Sequence, residues 1–112
     1  MIAKLMRLKT ISPKRLNEKL GEKNLFIYDL NSIQSYQLAH VPGAVHANQE
    51  TFSRKDLPDN KDAELIFYCS NPLCRKAPNA AKLAIKSGYD NAQVLMAGIS
   101  GWANKKMPVE SL

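Results

Sequence analysis

Short apolar runs alternate with segments of helical spacing along this chain. Two of the runs, "NLFIYDL" and "ELIFYC", are rich in β-forming residues and bounded by polar ones, which is the pattern of strands buried inside a sheet. Ser12 followed by Pro13 is a helix-start signal before "PKRLNEKL", and a longer helix is expected from about Ala77 to Ser87. Strands that alternate with helices predict an α/β fold with a largely parallel central sheet flanked by helices.

The remaining segments extend the same alternation. We expect further strands in "LMRLKTIS", "AVHA" and "AQVLMA", and further helices in "SIQSYQLAH" and "SGWANKK". Residues 51–62 are a polar, proline-bearing surface connection. A chain of 112 residues is long enough to bury one hydrophobic core, so residues 1–112 are expected to form a single domain.

The composition of the chain argues against nucleic-acid and membrane partners. The formal net charge is +6, but the 16 lysines and arginines are dispersed and make no basic stripe interleaved with aromatic residues. No segment approaches the roughly 18 apolar residues of a membrane-spanning helix, and Lys4, Arg7 and Lys9 interrupt the apolar residues near the N-terminus. We therefore expect a cytoplasmic protein in a reducing compartment, with no nucleic-acid and no membrane partner.

Cys69 is the candidate for chemistry because of what surrounds it. It ends the run "ELIFYC", and the carboxyl ends of parallel strands are where α/β sheets bind ligands. The loop "SNPLCR" then leads into a helix N-terminus, whose free N–H groups and dipole stabilise an anion and so lower the pKa of a nearby thiol. Arg75 and Lys76 add positive charge for a thiolate or an oxyanion substrate. A buried structural thiol is the alternative, but the combination favours a nucleophile.

Cys74 lies five positions after Cys69 and has two open interpretations. It is either a second thiol that resolves an oxidised or sulfur-bearing Cys69, or a loop residue without a role in the chemistry. A bond between the two cysteines would close only a very small loop, so a disulfide scaffold that holds the fold together is not expected.

Other polar and aromatic residues give weaker signals. His40 and His46 do not combine with the two cysteines in the usual short-knuckle spacing, so no metal site is predicted. His40 is interpreted as a structural or pocket-wall residue. Asp29, at the end of its strand, either caps a loop or carries function, with structure favoured. Trp102 is expected to anchor the last helix in the core.

With these residues placed, the chain resembles the rhodanese-like domain family over nearly all of its length. Four stretches carry the resemblance: the strand ending in aspartate, "IYDL"; the segment "YQLAHVPGAVHA"; the active-site strand, loop and helix "LIFYCSNPLCRKAPNAAKLAIKSGYDNAQVL"; and the closing "AGISGWANKKMPV". Each stretch alone is weak evidence, but their order and spacing together are specific.

The resemblance implies a doubly wound α/β fold in which Cys69 accepts sulfane sulfur as a persulfide. The residues after it would form a cradle whose amides face the sulfur: Ser70, Asn71, Pro72, Leu73, Cys74 and Arg75. The implied partners are a small anionic sulfur donor such as thiosulfate and an acceptor, either cyanide or a thiol on a small molecule or protein. No cofactor and no metal is implied.

The chain departs from the family pattern at several positions, and these keep alternatives open. Asn31 and Ser35 stand where the family usually has an arginine and an acidic residue, and Ala97 replaces the first glycine of the closing pair. The loop has no glycine, and its Cys-x5-Arg spacing is shared with the phosphatases and arsenate reductases related to rhodanese, although Tyr68 stands where those enzymes usually have a histidine. A noncatalytic sulfur-carrying or interaction domain is the other alternative.

Overall fold

The structure, a computed structural model, describes residues 8–112 and is built on a sheet of five parallel strands. The spatial order of the strands is β1-β5-β4-β2-β3. Their bounds are Lys9–Thr10 (β1), Leu25–Asp29 (β2), Val45–His46 (β3), Glu64–Tyr68 (β4) and Ala92–Val94 (β5). The predicted α/β fold with a parallel central sheet is therefore confirmed. Within the described part of the run "LMRLKTIS", the strand covers Lys9–Thr10, and residues 5–7 of the run lie outside the described part of the chain.

Helices connect the strands in the order expected. They are Pro13–Lys19 (α1), Ile33–Leu38 (α2), Lys76–Lys86 (α3) and Gly98–Asn104 (α4), with a short 3-10 helix at Arg54–Asp56. The predicted start of α1 is confirmed, because the Ser12 hydroxyl accepts a hydrogen bond of 3.1 Å from the amide of Arg15. Across residues 8–112, the longest helix has 11 residues, and none is both long and apolar enough to span a bilayer.

The central strand β4 packs against helices on both of its faces. Leu65 and Phe67 point into a cluster with the alanines of α3, whereas Ile66 and Tyr68 point into a second cluster that contains Leu16 of α1 and Trp102 of α4. All four of these strand residues are fully buried. A strand covered on both faces needs no polar side, which explains why its sequence is an uninterrupted apolar run.

Backbone hydrogen bonds hold the loops together at the carboxyl edge of the sheet. The carbonyl of Cys69 accepts from the amide of Ile99 at 2.9 Å, and the carbonyl of Ser70 accepts from Ser100 at 3.0 Å. On the other side, the amide of Leu30 donates to the carbonyl of Tyr68 at 2.9 Å. The loop after β4 is thus fixed between the start of α4 and the loop after β2.

Candidate active site

Cys69 lies immediately after β4, as the first residue of the loop. Its side chain is 3% exposed and belongs to the core cluster that β4 shares with α3. The carboxyl-edge position predicted for it is observed. A sulfur at this depth is largely shielded from solvent in the observed conformation.

Cys69 and Cys74 are joined by a disulfide, with their Cα atoms 6.4 Å apart. The expectation of a free, reactive thiol in this loop therefore does not describe the observed state. The bond spans five positions and encloses only the loop itself, so it is no scaffold disulfide, in agreement with the sequence. The thiolate chemistry expected of Cys69 requires this bond to be reduced first, because the disulfide form holds no thiolate.

The loop folds back on itself through Asn71. The Asn71 side-chain oxygen accepts a hydrogen bond of 2.9 Å from the amide of Leu73, and its backbone carbonyl accepts one of 3.1 Å from the amide of Cys74. Pro72 occupies the turn between them. The amides of Leu73 and Cys74, two members of the predicted cradle, are thus engaged in hydrogen bonds within the loop.

The two basic residues lie where the loop becomes helix. Arg75 immediately precedes α3, and its carbonyl accepts a hydrogen bond of 3.1 Å from the amide of Asn79 in the first turn. Lys76 is the first residue of α3, one position earlier than predicted. Both side chains are exposed. Together with the positive end of an 11-residue helix, they make the rim of the loop favourable for an anion.

Gly98 allows the loop to lie directly against α4. Its φ is +67°, and a Cβ atom on it would lie 2.5 Å from the backbone carbon of Ser70 and 2.7 Å from the amide nitrogen of Asn71. Only glycine fits this approach without moving the loop. The sequence pattern does not single out Gly98, but its signal is present as the glycine that follows Ala97 in the closing stretch "AGISGW".

Asn31 links the loop after β2 to the loop after β4. Its side-chain oxygen accepts a hydrogen bond of 2.7 Å from the hydroxyl of Ser70, the residue next to Cys69. Its amide donates to the Asp29 carboxylate at 2.8 Å, and its carbonyl accepts from Nε2 of His46 at 2.8 Å. The neutral amide of Asn31 therefore connects the loop after β2 to the loop after β4.

A buried polar pair lies beneath these loops. The hydroxyl of Tyr68 donates to the Asp29 carboxylate at 2.5 Å and accepts from the amide of Val41 at 3.0 Å. Burial raises the pKa of the Asp29 carboxyl and that of the Tyr68 hydroxyl. The structural interpretation of Asp29 is supported, since its two oxygens accept hydrogen bonds from the Asn31 amide and from Tyr68.

A cavity of about 400 Å³ opens beside the loop that follows β4. It lies between the loops that follow β2 and β3 and the start of α3. Its lining includes Asn31, Ile33, His46, Glu50 and Lys76. The Cys69 sulfur does not line it, but Asn31 contacts Ser70 on one side and Lys76 follows the loop on the other. The cavity therefore lies next to the loop and has room for a small molecule.

Two further sequence interpretations are supported by the contacts. His40 is 3% exposed, stacks on the ring of Tyr36 and donates from Nδ1 to the Tyr36 carbonyl at 2.6 Å, so it is structural. Trp102 is fully buried, and its indole N–H donates to the carbonyl of Pro108 at 2.6 Å. It anchors α4 in the core, as expected, and also fixes the chain that follows.

Known proteins similar to this chain fit the observed fold. Thiosulfate sulfurtransferase GlpE of Haemophilus influenzae is 22% identical over 106 residues, which cover 95% of this chain and 98% of that protein. The putative sulfur carrier protein YrkF of Bacillus subtilis is 26% identical over 96 residues, which cover 85% of this chain and 51% of that protein. The crystal structure of the BH2092 protein from Bacillus halodurans superposes with a TM-score of 0.82 at 23% identity and covers 98% of this chain and 80% of that chain.

A family model also matches most of the chain. The model of the rhodanese-like domain matches residues 12–105, a range that runs from the cap of α1 to the end of α4 and includes the whole loop after β4. The match therefore contains every element that positions Cys69. The chain belongs to the rhodanese-like domain family.

Proposed function

We propose that this protein is a sulfurtransferase that moves sulfane sulfur through a persulfide on Cys69. The observation that carries the proposal is the position of Cys69, at the carboxyl end of the central strand and at the start of a loop that leads into the N-terminus of α3. A small anion such as thiosulfate is the proposed donor. A thiol, on a small molecule or a protein, or cyanide is the proposed acceptor.

The reaction takes place in two displacements at sulfur. In the first, the Cys69 thiolate attacks the outer sulfur of thiosulfate, the sulfur–sulfur bond of the donor breaks, and sulfite leaves with the electron pair. In the second, the acceptor thiolate attacks the outer sulfur of the persulfide and carries it away, which restores the Cys69 thiolate. Both steps need the reduced protein, because the Cys69–Cys74 bond occupies the nucleophile.

The charge around the loop supports an anionic donor. The N-terminus of α3 and the exposed side chains of Arg75 and Lys76 present positive charge to whatever approaches Cys69. The same groups stabilise the thiolate of reduced Cys69 and the sulfite that leaves. Two relatives, a thiosulfate sulfurtransferase and a putative sulfur carrier, have names that agree with this class of chemistry.

The test is the intact mass of the protein after exposure to thiosulfate. The protein is reduced, freed of reductant and incubated with thiosulfate, beside Cys69→Ser and Cys74→Ser; all three samples are also assayed with a generic aryl phosphate. We expect a mass gain of one sulfur atom in Cys74→Ser and none in Cys69→Ser. Phosphate release that depends on Cys69, without sulfur uptake, would instead assign the Cys-x5-Arg loop to phosphatase chemistry. No reaction in either assay would favour a noncatalytic domain.

A further inference from the structure

The side chain of Cys74 faces the core, unlike those of its neighbours in the loop. Cys74 is partly buried and packs against the cluster that contains Cys69, whereas Asn71, Pro72 and Leu73 are exposed, Leu73 at 88%. The inward orientation of Cys74 places its sulfur on the side of the loop where Cys69 lies. The disulfide shows that the two sulfurs reach each other in this loop conformation.

The backbone holds Cys74 in that position. The turn closed by Asn71, through its side chain to Leu73 and its carbonyl to Cys74, brings the chain back over Cys69. At the base of the turn, α4 holds Ser70 by a backbone hydrogen bond of 3.0 Å and by the close approach of Gly98. A thiol fixed beside a reacting sulfur acts at an effective concentration far above that of any free thiol in solution.

We propose that Cys74 is a resolving thiol that discharges the Cys69 persulfide as sulfide. This step rests on the proposed sulfurtransferase function. The Cys74 thiolate attacks Sγ of Cys69, the bond between Sγ and the outer sulfur breaks, and the outer sulfur leaves with the electron pair as HS⁻. The outer sulfur is reduced to sulfide, and the two cysteine sulfurs are oxidised to the disulfide that the structure contains.

A second turnover then requires two electrons from a dithiol. Cys74 is the more accessible sulfur of the disulfide, because Cys69 is only 3% exposed. An incoming thiolate therefore attacks Cys74, and Cys69 is the leaving group. The second thiol of the dithiol then attacks the mixed disulfide at the reductant's own sulfur, which releases Cys74 as a thiol and leaves the reductant as a disulfide. The substrate class for this half-reaction is a dithiol, on a small molecule or on a partner protein.

The experiment follows both sulfide and intact mass after one addition of thiosulfate to the reduced, desalted protein. In the wild type we expect one sulfide per protein and a final mass two hydrogens below that of the reduced chain. Cys74→Ser should release no sulfide and keep the added sulfur until cyanide removes it. Dithiothreitol should make sulfide release by the wild type catalytic.

The loop turn provides a second variant with a matched control. Asn71→Ala removes the hydrogen bond that the Asn71 side chain accepts from the amide of Leu73. Asn60→Ala removes the equivalent hydrogen bond, from the amide of Asp62 to the Asn60 side chain, in a turn before β4. We expect Asn71→Ala to slow sulfide release by about an order of magnitude while Asn60→Ala leaves it unchanged.

The two proposals fail in different ways. If the wild type keeps its persulfide as long as Cys74→Ser does, the resolving role of Cys74 is wrong and sulfurtransfer stands. If Asn71→Ala and Asn60→Ala release sulfide equally fast, the part of the proposal in which the Asn71 turn positions Cys74 is wrong. If Cys74→Ser takes up no sulfur, the persulfide itself is not formed and the proposed function is wrong.

Discussion

Tyr68 and Asp29 lie directly opposite each other in neighbouring parallel strands, and the tyrosine hydroxyl donates a hydrogen bond of 2.5 Å to the carboxylate. Both side chains are fully buried. The same hydroxyl accepts from the amide of Val41, so one side chain satisfies a buried acceptor and a buried donor. Asp29 also accepts a hydrogen bond from the amide of Asn31, and the Asn31 side chain accepts one from Ser70 in the loop after β4. The Tyr68–Asp29 pair therefore connects the central strand to that loop through Asn31.

Tyr68→Phe should lower the free energy of unfolding substantially. The substitution leaves the Val41 amide and one oxygen of Asp29 buried without a partner, at a cost of about 1–3 kcal/mol for each group. Urea denaturation measures the loss. Tyr36→Phe is the matched control, because it removes one hydrogen bond to the Ala44 carbonyl from a partly exposed ring. Equal losses in the two variants would contradict the importance assigned to the buried pair.

The stability contributed by Asp29 should fall as the pH rises. Burial raises its pKa in the folded protein above the ordinary value of 3.8, so the folded state binds this proton more tightly than the unfolded state does. The favourable contribution is complete below 3.8 and is lost as the pH passes the folded pKa. The free energy of unfolding of the wild type minus that of Asp29→Asn should therefore decrease from about pH 4 upward. A difference that increases over this range would mean that the folded pKa is lowered.

The local sequence pattern was enough to predict the strands and helices of this protein, but not the contacts inside its candidate active site. β2 and β4 are recognisable because their β-forming apolar runs are bounded by polar residues, and the start of α1 because Ser12 and Pro13 are a local cap. The position of Cys69 follows from the same two rules, since a strand end and a helix start define the loop between them.

The contacts that the sequence did not predict join residues that are distant in sequence or depend on the path of a loop. Asn31 meets Ser70 only because β2 and β4 are neighbours, and Gly98 meets the same loop only because β5 lies on the other side of β4. The pairing of Cys69 with Cys74 depends on a turn whose shape is set by hydrogen bonds to Asn71. Spacing alone left Cys74 equally compatible with a resolving thiol and with no role.

Gly98→Ala should damage both the stability and the activity of the protein. The new methyl group would lie 2.5 Å from the Ser70 backbone, so either the loop or α4 must move, in addition to the cost of about 1–2 kcal/mol for a left-handed alanine. Gly21→Ala isolates that second cost, because φ at Gly21 is +90° and no atom lies within 4 Å of the added Cβ.

Thermal unfolding and sulfur uptake measure the two effects. We expect a clearly larger drop in Tm for Gly98→Ala than for Gly21→Ala, and slower persulfide formation only in Gly98→Ala. If both variants lose the same stability and react with thiosulfate at the wild-type rate, the close approach of α4 does not position the loop.

Removing the charge of Arg75 should weaken the reaction with thiosulfate, because Arg75 is exposed at the junction of the loop and α3, where an anionic donor must pass. Lys86→Ala is the control. It removes one exposed positive charge from the opposite end of the same 11-residue helix, about 15 Å away, and leaves the loop untouched. The rate of persulfide formation, measured against thiosulfate concentration at low ionic strength, should fall several-fold in Arg75→Ala and change little in Lys86→Ala.

Added salt should slow the wild type more than it slows Arg75→Ala, because screening acts on a charge that the variant lacks. Equal effects of the two substitutions would mean that the donor responds to the net charge of the protein and that Arg75 makes no specific contribution at the site.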